Sequence, residues 1–413
     1  MSKAMIEKNK RAKSPKRLRR RISAIFAALA IAALSITVSA QSIALDKLAA
    51  DFEPEIRRTM IEGKIPSCTV ALVSGDKVIW TGAFGESNLW ARTPAATDTV
   101  YLIGSTFKAM STVALLKLME EGKYKLDDPV SNYLDFKIPG DDPDNPFTFR
   151  HLFTHTSGLT GEFGAVPVWN NGATIDLDTY VRTKLKVEHP PMTKVEYSNP
   201  AFTLIGYLVE KLSGVPYKQY IQENVFDPLE MKSTAFDPTP DMGQRLAVPY
   251  VVSEETGAHV PAVRIRAAVY PAGITYGTIL DQSNWMIMNL NEGVFKGKQI
   301  ISASTIEQMH TLQYEQFKGG VEGIWGNETA GFGLTWWSQV RNGDHYFAHS
   351  GSLSGYTAYL VGNKDRKFGF AILTNGHRSH PHLFKLGDRA IDLMIEHSTD
   401  DKPAAASASR SDK

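Results

Sequence analysis

The sequence predicts an α/β protein of the α+β kind, in which both ends of the chain build one antiparallel sheet, helices cover that sheet, and a mostly helical subdomain is inserted. Three observations lead to this prediction. β-rich runs occur near both ends of the chain. Loops and short helical patterns fill the middle, at about 125–290. Amphipathic helical patterns flank the β-rich runs at both ends.

The first elements follow from the spacing of apolar residues. Residues 44–63 repeat apolar side chains at helical spacing, and Gly63 ends the predicted helix. Two β-rich runs, 69–73 and 78–83, then flank a four-residue turn. This arrangement predicts two neighbouring strands directly after the first helix.

The later elements are predicted in the same way. Helices are expected to begin near Ser105 and at Pro200, and each ends at a glycine. The last third of the chain contains three predicted strands and one closing helix, at 346–349, 356–361, 368–374 and 382–396. The tail 398–413 is rich in Ala, Ser, Asp and Lys, which predicts disorder.

Composition and charge argue against nucleic acid as a partner. The 413 residues are 43% hydrophobic and 22% charged, which is ordinary for a globular protein. The overall net charge is +1, but residues 1–40 hold ten Lys or Arg and one acidic residue. The remainder has 35 basic and 43 acidic side chains, and such a mildly acidic body does not attract nucleic acid.

The N-terminus has the pattern of a signal peptide over residues 1–40. A basic stretch ends at Arg21, an apolar run follows from Ile22, and small residues lead up to Ala40. The chain is therefore expected to be periplasmic or secreted, with one folded domain at 41–397. An uncleaved membrane anchor is the alternative, because no charge occurs between Ile22 and Leu45.

Cys68 is the only cysteine, so no internal disulfide is possible. It lies in a continuous apolar run, which predicts a buried and unreactive thiol.

The first candidate for chemistry is Ser105 with Lys108. On a helix, residues three apart share one face, and a serine at the first turn lies where the helix favours negative charge. A serine needs a base to become a nucleophile, and a lysine in dry surroundings loses its proton and provides one. Taken alone, a serine cap followed by a solvated lysine explains the same residues.

The second candidate is the tripeptide that contains Tyr197 and Asn199, directly before the helix at Pro200. A tyrosine passes a proton to a leaving group if nearby cations lower its pKa. An asparagine amide binds a substrate carbonyl or orients a lysine. Without other motifs, this is a common loop sequence.

The third candidate is the run that contains His349, Gly351 and Ser352, predicted to lie at the end of a strand. A strand beside a nucleophile offers backbone N–H groups to an oxyanion, and a glycine lets the substrate approach. A histidine that only ends a strand is the alternative.

Together the three motifs resemble the serine β-lactamase and penicillin-binding-protein family, whose signature is S-x-x-K, Y-x-N and then K-T-G or H-x-G. The gaps of 92 and 152 residues are similar to those of the class C β-lactamase, D-alanyl-D-alanine carboxypeptidase and D-aminopeptidase branch. The stretch 149–159 and the segment 271–273 resemble further parts of these proteins. The resemblance covers roughly 45–395.

This resemblance implies a role for each residue of the first two motifs. Ser105 is expected to be the acylated nucleophile, and Lys108 is expected to activate it. Tyr197 is expected to relay the proton to the leaving group. Asn199 is expected to bind substrate and support Lys108.

In the third motif, His349 replaces the lysine of most β-lactamases. The resemblance implies that His349, Gly351 and Ser352 bind substrate, and that the backbone N–H groups of Ser105 and Ser352 form an oxyanion hole. An ordinary histidine pKa of about 6.5 predicts that the charge of His349 changes within the working pH range.

The expected activity is a peptidase or amidase on D-alanyl peptides or other small peptides. A carboxylesterase and a β-lactamase are alternatives with the same machinery, and a penicillin-binding sensor is the alternative that is not an enzyme. No cofactor is expected, and a membrane is a partner only if the N-terminal segment is uncleaved.

A zinc site is a weaker alternative. His151 and His155 are four residues apart, which suits zinc, but no H-E-x-x-H motif or third ligand accompanies them. The prediction is therefore that both histidines are structural and that the chain holds no metal.

Overall fold

The computed structural model describes residues 43–168, 174–319 and 329–398. The predicted signal peptide and nearly all of the predicted disordered tail lie outside these residues. In the described part of the chain, no helix is both long enough and apolar enough to cross a bilayer.

One antiparallel sheet of eight strands forms the centre of the fold, as predicted. The strands are β1 (Ser67–Ser74), β2 (Lys77–Asn88), β3 (Thr93–Pro94), β4 (Gly331–Phe332), β5 (Trp337–Arg341), β6 (Asp344–Leu353), β7 (Tyr356–Asn363) and β8 (Phe368–Thr374). Their order is β4-β5-β6-β7-β8-β1-β2-β3. Because β1 pairs with β8, the two ends of the folded chain meet in the middle of the sheet.

Ten helices accompany this sheet in the described ranges. They are α1 (Leu45–Glu62), α2 (Lys108–Glu120), α3 (Phe149–Phe153), α4 (Leu177–Thr183), α5 (Asn199–Ser213), α6 (Tyr217–Ile221), α7 (Pro240–Gln244), α8 (Ile279–Leu290), α9 (Ala303–His310) and α10 (His380–Glu396). Most of the helices from α2 to α7 belong to the inserted helical part.

The inserted part and its borders also hold five short strand pairs. These are Tyr101–Leu102 with Tyr276–Gly277, Leu159–Gly161 with Leu185–Val187, Ala165–Pro167 with Ile265–Ala267, Tyr250–Val252 with His259–Pro261, and Val294–Phe295 with Lys298–Gln299.

The central strands are apolar on both faces because helices cover the sheet on both sides. In β1, Cys68, Val70 and Leu72 belong to one core with α1 and α10, whereas Ala71 and Val73 belong to the other core with α2 and α8. This alternation is the two-residue period of a strand. Burial raises the pKa of Cys68 to about 12, so the prediction of a buried, unreactive thiol is confirmed.

Candidate active site

Ser105 lies in a sharp turn between the short strand Tyr101–Leu102 and helix α2. The turn is a 3-10 helix, Gly104–Phe107, and α2 continues from it, so the predicted helix near Ser105 is present with a tighter first turn. Gly104 has φ +57°, a backbone conformation that favours glycine. The turn brings the Ser105 side chain to the edge of the helical part, facing strand β6.

The amine of Lys108 is fully buried and is held by three oxygen atoms. Its Nζ lies 3.0 Å from Ser105 Oγ, 2.7 Å from Asn199 Oδ1 and 2.6 Å from the carbonyl oxygen of Ala272. Within 43–168, 174–319 and 329–398, no carboxylate lies at ion-pairing distance from this amine. Burial lowers the pKa of Lys108 well below its ordinary value.

These contacts suit a neutral lysine as well as a charged one. A neutral amine donates two hydrogen bonds and keeps one lone pair. The two shorter contacts join the amine to Asn199 Oδ1 and to the Ala272 carbonyl oxygen, which are both hydrogen-bond acceptors, so the amine donates to each. The lone pair is then left for the hydroxyl of Ser105, which becomes the donor. The geometry therefore allows Lys108 to accept the serine proton directly.

Asn199 and Tyr197 are positioned by the first turn of α5. Ser198 caps this helix, and its Oγ accepts a hydrogen bond from the N–H of Ala201 at 3.1 Å. Asn199 is half-buried and points at Lys108, whereas Tyr197 is 41% exposed and borders the opening of the site.

The pKa of Tyr197 is raised, whereas its expected role called for a pKa lowered by nearby cations. Burial around the hydroxyl raises this pKa, and a hydrogen bond with Ser105 opposes the rise only in part, although much of the ring is exposed. The Lys108 amine lies 4.8 Å from the centre of the Tyr197 ring. Because the phenol keeps its proton, Tyr197 is a proton donor in the resting site and not a base.

His155 contacts Tyr197 and both of its neighbours in the chain. Its ring stacks on the Tyr197 ring with centroids 4.4 Å apart, its Nδ1 accepts the N–H of Ser198 at 3.0 Å, and its carbonyl accepts the N–H of Glu196 at 2.8 Å. The sequence predicted a structural role for His155 but not its contact with Tyr197. The signal in the sequence is its position in the 149–159 stretch that resembles the family.

The hydrogen bonds of His151 and His155 disagree with the alternative of a zinc site. His155 uses Nδ1 for Ser198, and His151 uses its Nδ1 to accept the N–H of Thr148 at the start of α3. No group of three metal-ligating side chains occurs among the residues that the structure describes. Both histidines therefore have structural partners of their own.

Strand β6 extends further than predicted and brings the third motif beside Ser105. Its pairing with β5 ends at Ala348, while its pairing with β7 continues to Leu353. The segment that contains His349, Gly351 and Ser352 therefore has one free edge, and this edge faces the turn that contains Ser105.

His349 is placed differently from the expectation. The side chain is fully buried, its Nδ1 donates to the Ser350 carbonyl at 2.7 Å, and its ring stacks on Trp337 at 5.3 Å. Burial lowers the pKa of His349 to about 3. The expectation that this charge changes within the working pH range is therefore wrong, because His349 stays neutral above pH 5.

Three glycines allow the backbones around Ser105 to approach one another. A Cβ on Gly351 would lie 2.6 Å from the Ser105 nitrogen, a Cβ on Gly273 would lie 2.9 Å from that nitrogen, and a Cβ on Gly104 would lie 2.9 Å from the Ser352 nitrogen. The backbone nitrogens of Ser105 and Ser352 thus approach one glycine-lined space, which suits a pair of oxyanion donors.

A cavity of about 60 Å³ adjoins Ser105 and Asn199. Its wall is mostly apolar, and the larger side chains in it are Phe163, Val269, Ile274 and Leu353. The motifs named by the sequence did not include these residues, because an apolar side chain carries no chemical signature. Ala272 was also missed as a lysine ligand, since it acts through its backbone carbonyl.

The fold and this site together define a serine hydrolase of the β-lactamase and penicillin-binding-protein superfamily. The chain belongs to the Beta-lactamase family, which it matches over residues 52–393. The resemblance noted in the sequence is confirmed.

Two curated relatives illustrate the range of this family. D-alanyl-D-alanine-carboxypeptidase/endopeptidase AmpH of Escherichia coli K12 is 27% identical over 395 residues, which is 93% of this chain and 98% of that protein. Protein flp of Staphylococcus aureus strain MW2 is 25% identical over 344 residues, or 83% of this chain. The match covers only 64% of the length of protein flp.

Two solved structures have the same fold. The octameric penicillin-binding protein homologue from Pyrococcus abyssi has a TM-score of 0.68 at 25% identity, over 86% of this chain and 78% of that one. The β-lactamase/D-alanine carboxypeptidase from Yersinia pestis, complexed with citrate, has a TM-score of 0.67 at 21% identity, over 84% and 98%.

Proposed function

We propose that this chain is an exported serine hydrolase that forms an acyl-enzyme on Ser105 and cleaves peptide or amide bonds in D-alanyl-D-alanine-like or other small peptides. The observation that carries the proposal is the buried amine of Lys108, which lies 3.0 Å from Ser105 Oγ and has a lowered pKa. A dry amine at this distance is a general base for the serine hydroxyl.

The proposed reaction moves one proton through three groups. Lys108 takes the proton of Ser105 while Oγ attacks the carbonyl carbon, and the N–H groups of Ser105 and Ser352 hold the oxyanion. Tyr197 gives its proton to the leaving amine and regains one from Lys108. Asn199 orients Lys108 and binds the substrate. Water then attacks the acyl carbonyl while Lys108 takes one of its protons, the bond between the acyl carbon and Ser105 Oγ breaks, and Lys108 returns the proton to Ser105 Oγ as the acid leaves.

The preference for peptides is supported by the relatives. The Escherichia coli relative is named a D-alanyl-D-alanine carboxypeptidase and endopeptidase, and its match extends over nearly the full length of both chains. Since the two chains are only 27% identical, we propose this substrate class for the chain and do not take it from the relative's name.

A carboxylesterase is the second candidate. The cavity beside Ser105 has only about 60 Å³ and a mostly apolar wall, which suits a short acyl group without hydrogen-bonding needs. The same nucleophile cleaves both ester and amide bonds. Measuring kcat/KM for a short p-nitrophenyl ester, a D-amino-acid amide and a D-Ala-D-Ala peptide therefore shows whether the protein prefers esters or amides. A β-lactamase would turn over nitrocefin, and a sensor would give a burst without turnover.

Ser105→Ala tests the acyl-enzyme. We expect it to lower kcat by several orders of magnitude, because the attacking atom is removed. A fluorophosphonate or penicillin is expected to label Ser105 of the wild type, as seen by peptide mass spectrometry, and to leave the variant unlabelled. The melting temperature is the control for folding. Full activity of Ser105→Ala at an unchanged melting temperature would refute the proposal.

Export is supported by the basic, apolar and small-residue order of residues 1–40. We expect the mature chain to begin near Gln41. Intact-mass measurement of protein recovered outside the cytoplasm checks this, and a mass that retains residues 1–40 would instead favour the membrane anchor.

A further inference from the structure

We infer that the outer edge of strand β2 is a dimerisation surface, on which β2 of a second copy of this chain pairs antiparallel and extends the sheet across a two-fold axis. The interface goes beyond the proposed function and does not depend on it. The evidence is an unpaired and uncharged strand edge, an apolar groove beside it, and opposite charges at its two ends.

The outer edge of β2 is unpaired over most of its length, because β3 covers only its far end. The carbonyl of Gly85 points to this outer side, since it accepts the N–H of Ala95 at 2.9 Å. Backbone groups alternate sides along a strand, so those of Thr81 and Ala83 also point outward. Within the described ranges, no hydrogen bond reaches the outward N–H or carbonyl of Thr81 or Ala83.

This edge lacks most of the features that keep strand edges from pairing with another chain. Native edges usually carry charged side chains, prolines or bulges. The run from Val78 to Gly85 contains no charge and no proline. Its register with β1 shifts only at one end, between Leu72 and Val73, and is regular from Trp80 to Gly85. The regular part therefore offers main-chain donors and acceptors to a second strand.

An apolar groove lies beside the same edge. It has about 590 Å³, and its wall includes Phe84 of β2 together with Met60 and Ile61 of α1. The side chain of Ile61 is 79% exposed, and that of Trp90, just beyond the edge, is 95% exposed. A second strand on the edge covers part of this apolar surface, and its removal from water favours association.

The charges at the two ends of the edge favour a second copy as the partner. Lys77 begins β2 and is exposed, whereas Glu86 lies directly after the unpaired part. A two-fold axis at Gly82 places Thr81 of each copy opposite Ala83 of the other, so that all their outward backbone groups pair. The same register brings Lys77 of each copy next to Glu86 of the other, where opposite charges attract.

Sedimentation of the full chain tests this interface. We expect a wild-type dimer, and we expect Thr81→Pro to weaken dimerisation about 10- to 100-fold, because each copy loses one N–H donor. Proline is tolerated where a strand N–H points to solvent, so the melting temperature should change little. Lys77→Glu is expected to weaken the dimer about two- to fivefold. Val340→Lys on β5, equally exposed to solvent, is expected to change nothing.

A cross-link locates the contact. Cys68 is buried and its pKa is raised to about 12, so Thr81→Cys adds the only reactive thiol. In the inferred register the two Thr81 side chains are diagonal neighbours, about 7–8 Å apart, and a short bis-maleimide spans this distance. We expect it to join two copies of Thr81→Cys but not of the exposed control Ser304→Cys.

Three strands separate β2 from β6, so labelling of Ser105 by a fluorophosphonate is expected to be the same in all these variants. A wild type that stays monomeric overturns the inference and leaves the edge to some other extended chain. A dimer that withstands Thr81→Pro and is not cross-linked through Thr81→Cys overturns it as well. Neither result affects the proposed function, which labelling of Ser105 tests separately.

Discussion

At the scale of single residues, burial gives Lys108 and Tyr197 opposite tasks. Burial disfavours the charged form of any side chain, so it lowers the pKa of a lysine and raises that of a tyrosine. Burial therefore favours the neutral amine of Lys108, which is able to accept a proton, and the neutral phenol of Tyr197, which holds its proton until the leaving group of the proposed reaction takes it. Groups whose environments move their pKa values in this way are the expected acid and base of a reaction.

His155 is positioned to hold the proposed acid, Tyr197, in place. His155→Ala removes the ring under Tyr197 and the acceptor for the Ser198 N–H. We expect kcat for a D-amino-acid anilide to fall about 10- to 100-fold, because a misplaced general acid loses part of the roughly 100- to 10,000-fold that general acid catalysis contributes. Hydrolysis of a p-nitrophenyl ester should fall much less, because nitrophenolate leaves without a proton donor.

His155→Asn is the matched variant. Asparagine tolerates the φ of +58° at this position, and its Oδ1 is an acceptor for Ser198. It is expected to recover part of the anilide activity. If His155 only supported the fold, both variants would lower the melting temperature and would slow ester and anilide hydrolysis equally.

At the scale of elements, the site depends on how closely three backbone segments approach. The turn before α2, the segment 271–273 and the free edge of β6 belong to distant parts of the sequence. Each contributes one glycine where they meet, at Gly104, Gly273 and Gly351. The approach sets the spacing of the two proposed oxyanion donors, so a change of a few tenths of an ångström is expected to affect catalysis before it affects folding.

Gly351→Ala tests this approach. The added Cβ would lie 2.3 Å from the Ile103 carbonyl oxygen and 2.6 Å from the Ser105 nitrogen, both of them backbone atoms that cannot rotate away. We expect kcat/KM to fall at least 100-fold, since loss of one oxyanion donor has this effect. Steady-state kinetics and fluorophosphonate labelling rates check it.

Gly369→Ala is the control in the same sheet. Its Cβ would meet the ends of two flexible side chains, Leu290 at 3.0 Å and Met286 at 3.1 Å. This variant is expected to lose some stability and keep its activity. Equal activity losses in the two variants would show that the sheet responds as a whole, and would count against the proposed role of Gly351.

At the scale of the whole molecule, the sequence pattern predicted the architecture and the motifs. The pKa values of the site residues depend instead on how deeply the fold buries them. The position of the β-rich runs near both chain ends was enough to predict one shared antiparallel sheet, because this is the simplest arrangement that lets helices cover all of these strands. The motifs predicted Ser105, Lys108 and Asn199, which the structure brings into contact. Sequence could not reveal the Ala272 carbonyl, since every residue has one, nor the burial of His349, which depends on Trp337 packing from β5.

The same burial makes the molecule sensitive to acid. His310 and His349 are fully buried, and burial lowers the pKa of each to about 3. In the unfolded chain a histidine has a pKa of about 6.5. Between these two values the unfolded state binds protons that the folded state does not. Stability is therefore complete above pH 6.5 and is lost as the pH falls below it, by up to about 1.4 kcal/mol per pH unit for each such histidine.

His310→Gln isolates one of these contributions outside the proposed site. His310 stacks on Phe347 at 3.9 Å, and its Nε2 contacts Asn289 Oδ1 at 3.2 Å, so the variant is expected to be less stable than the wild type at pH 7.5. Since glutamine does not titrate, this deficit should shrink by about 1 kcal/mol between pH 6.5 and 5.5, because the unfolded histidine is already half protonated at pH 6.5. Urea unfolding of both proteins at pH 7.5, 6.5 and 5.5 measures the difference. A deficit that stays constant over this range would mean that folding does not lower the pKa of His310.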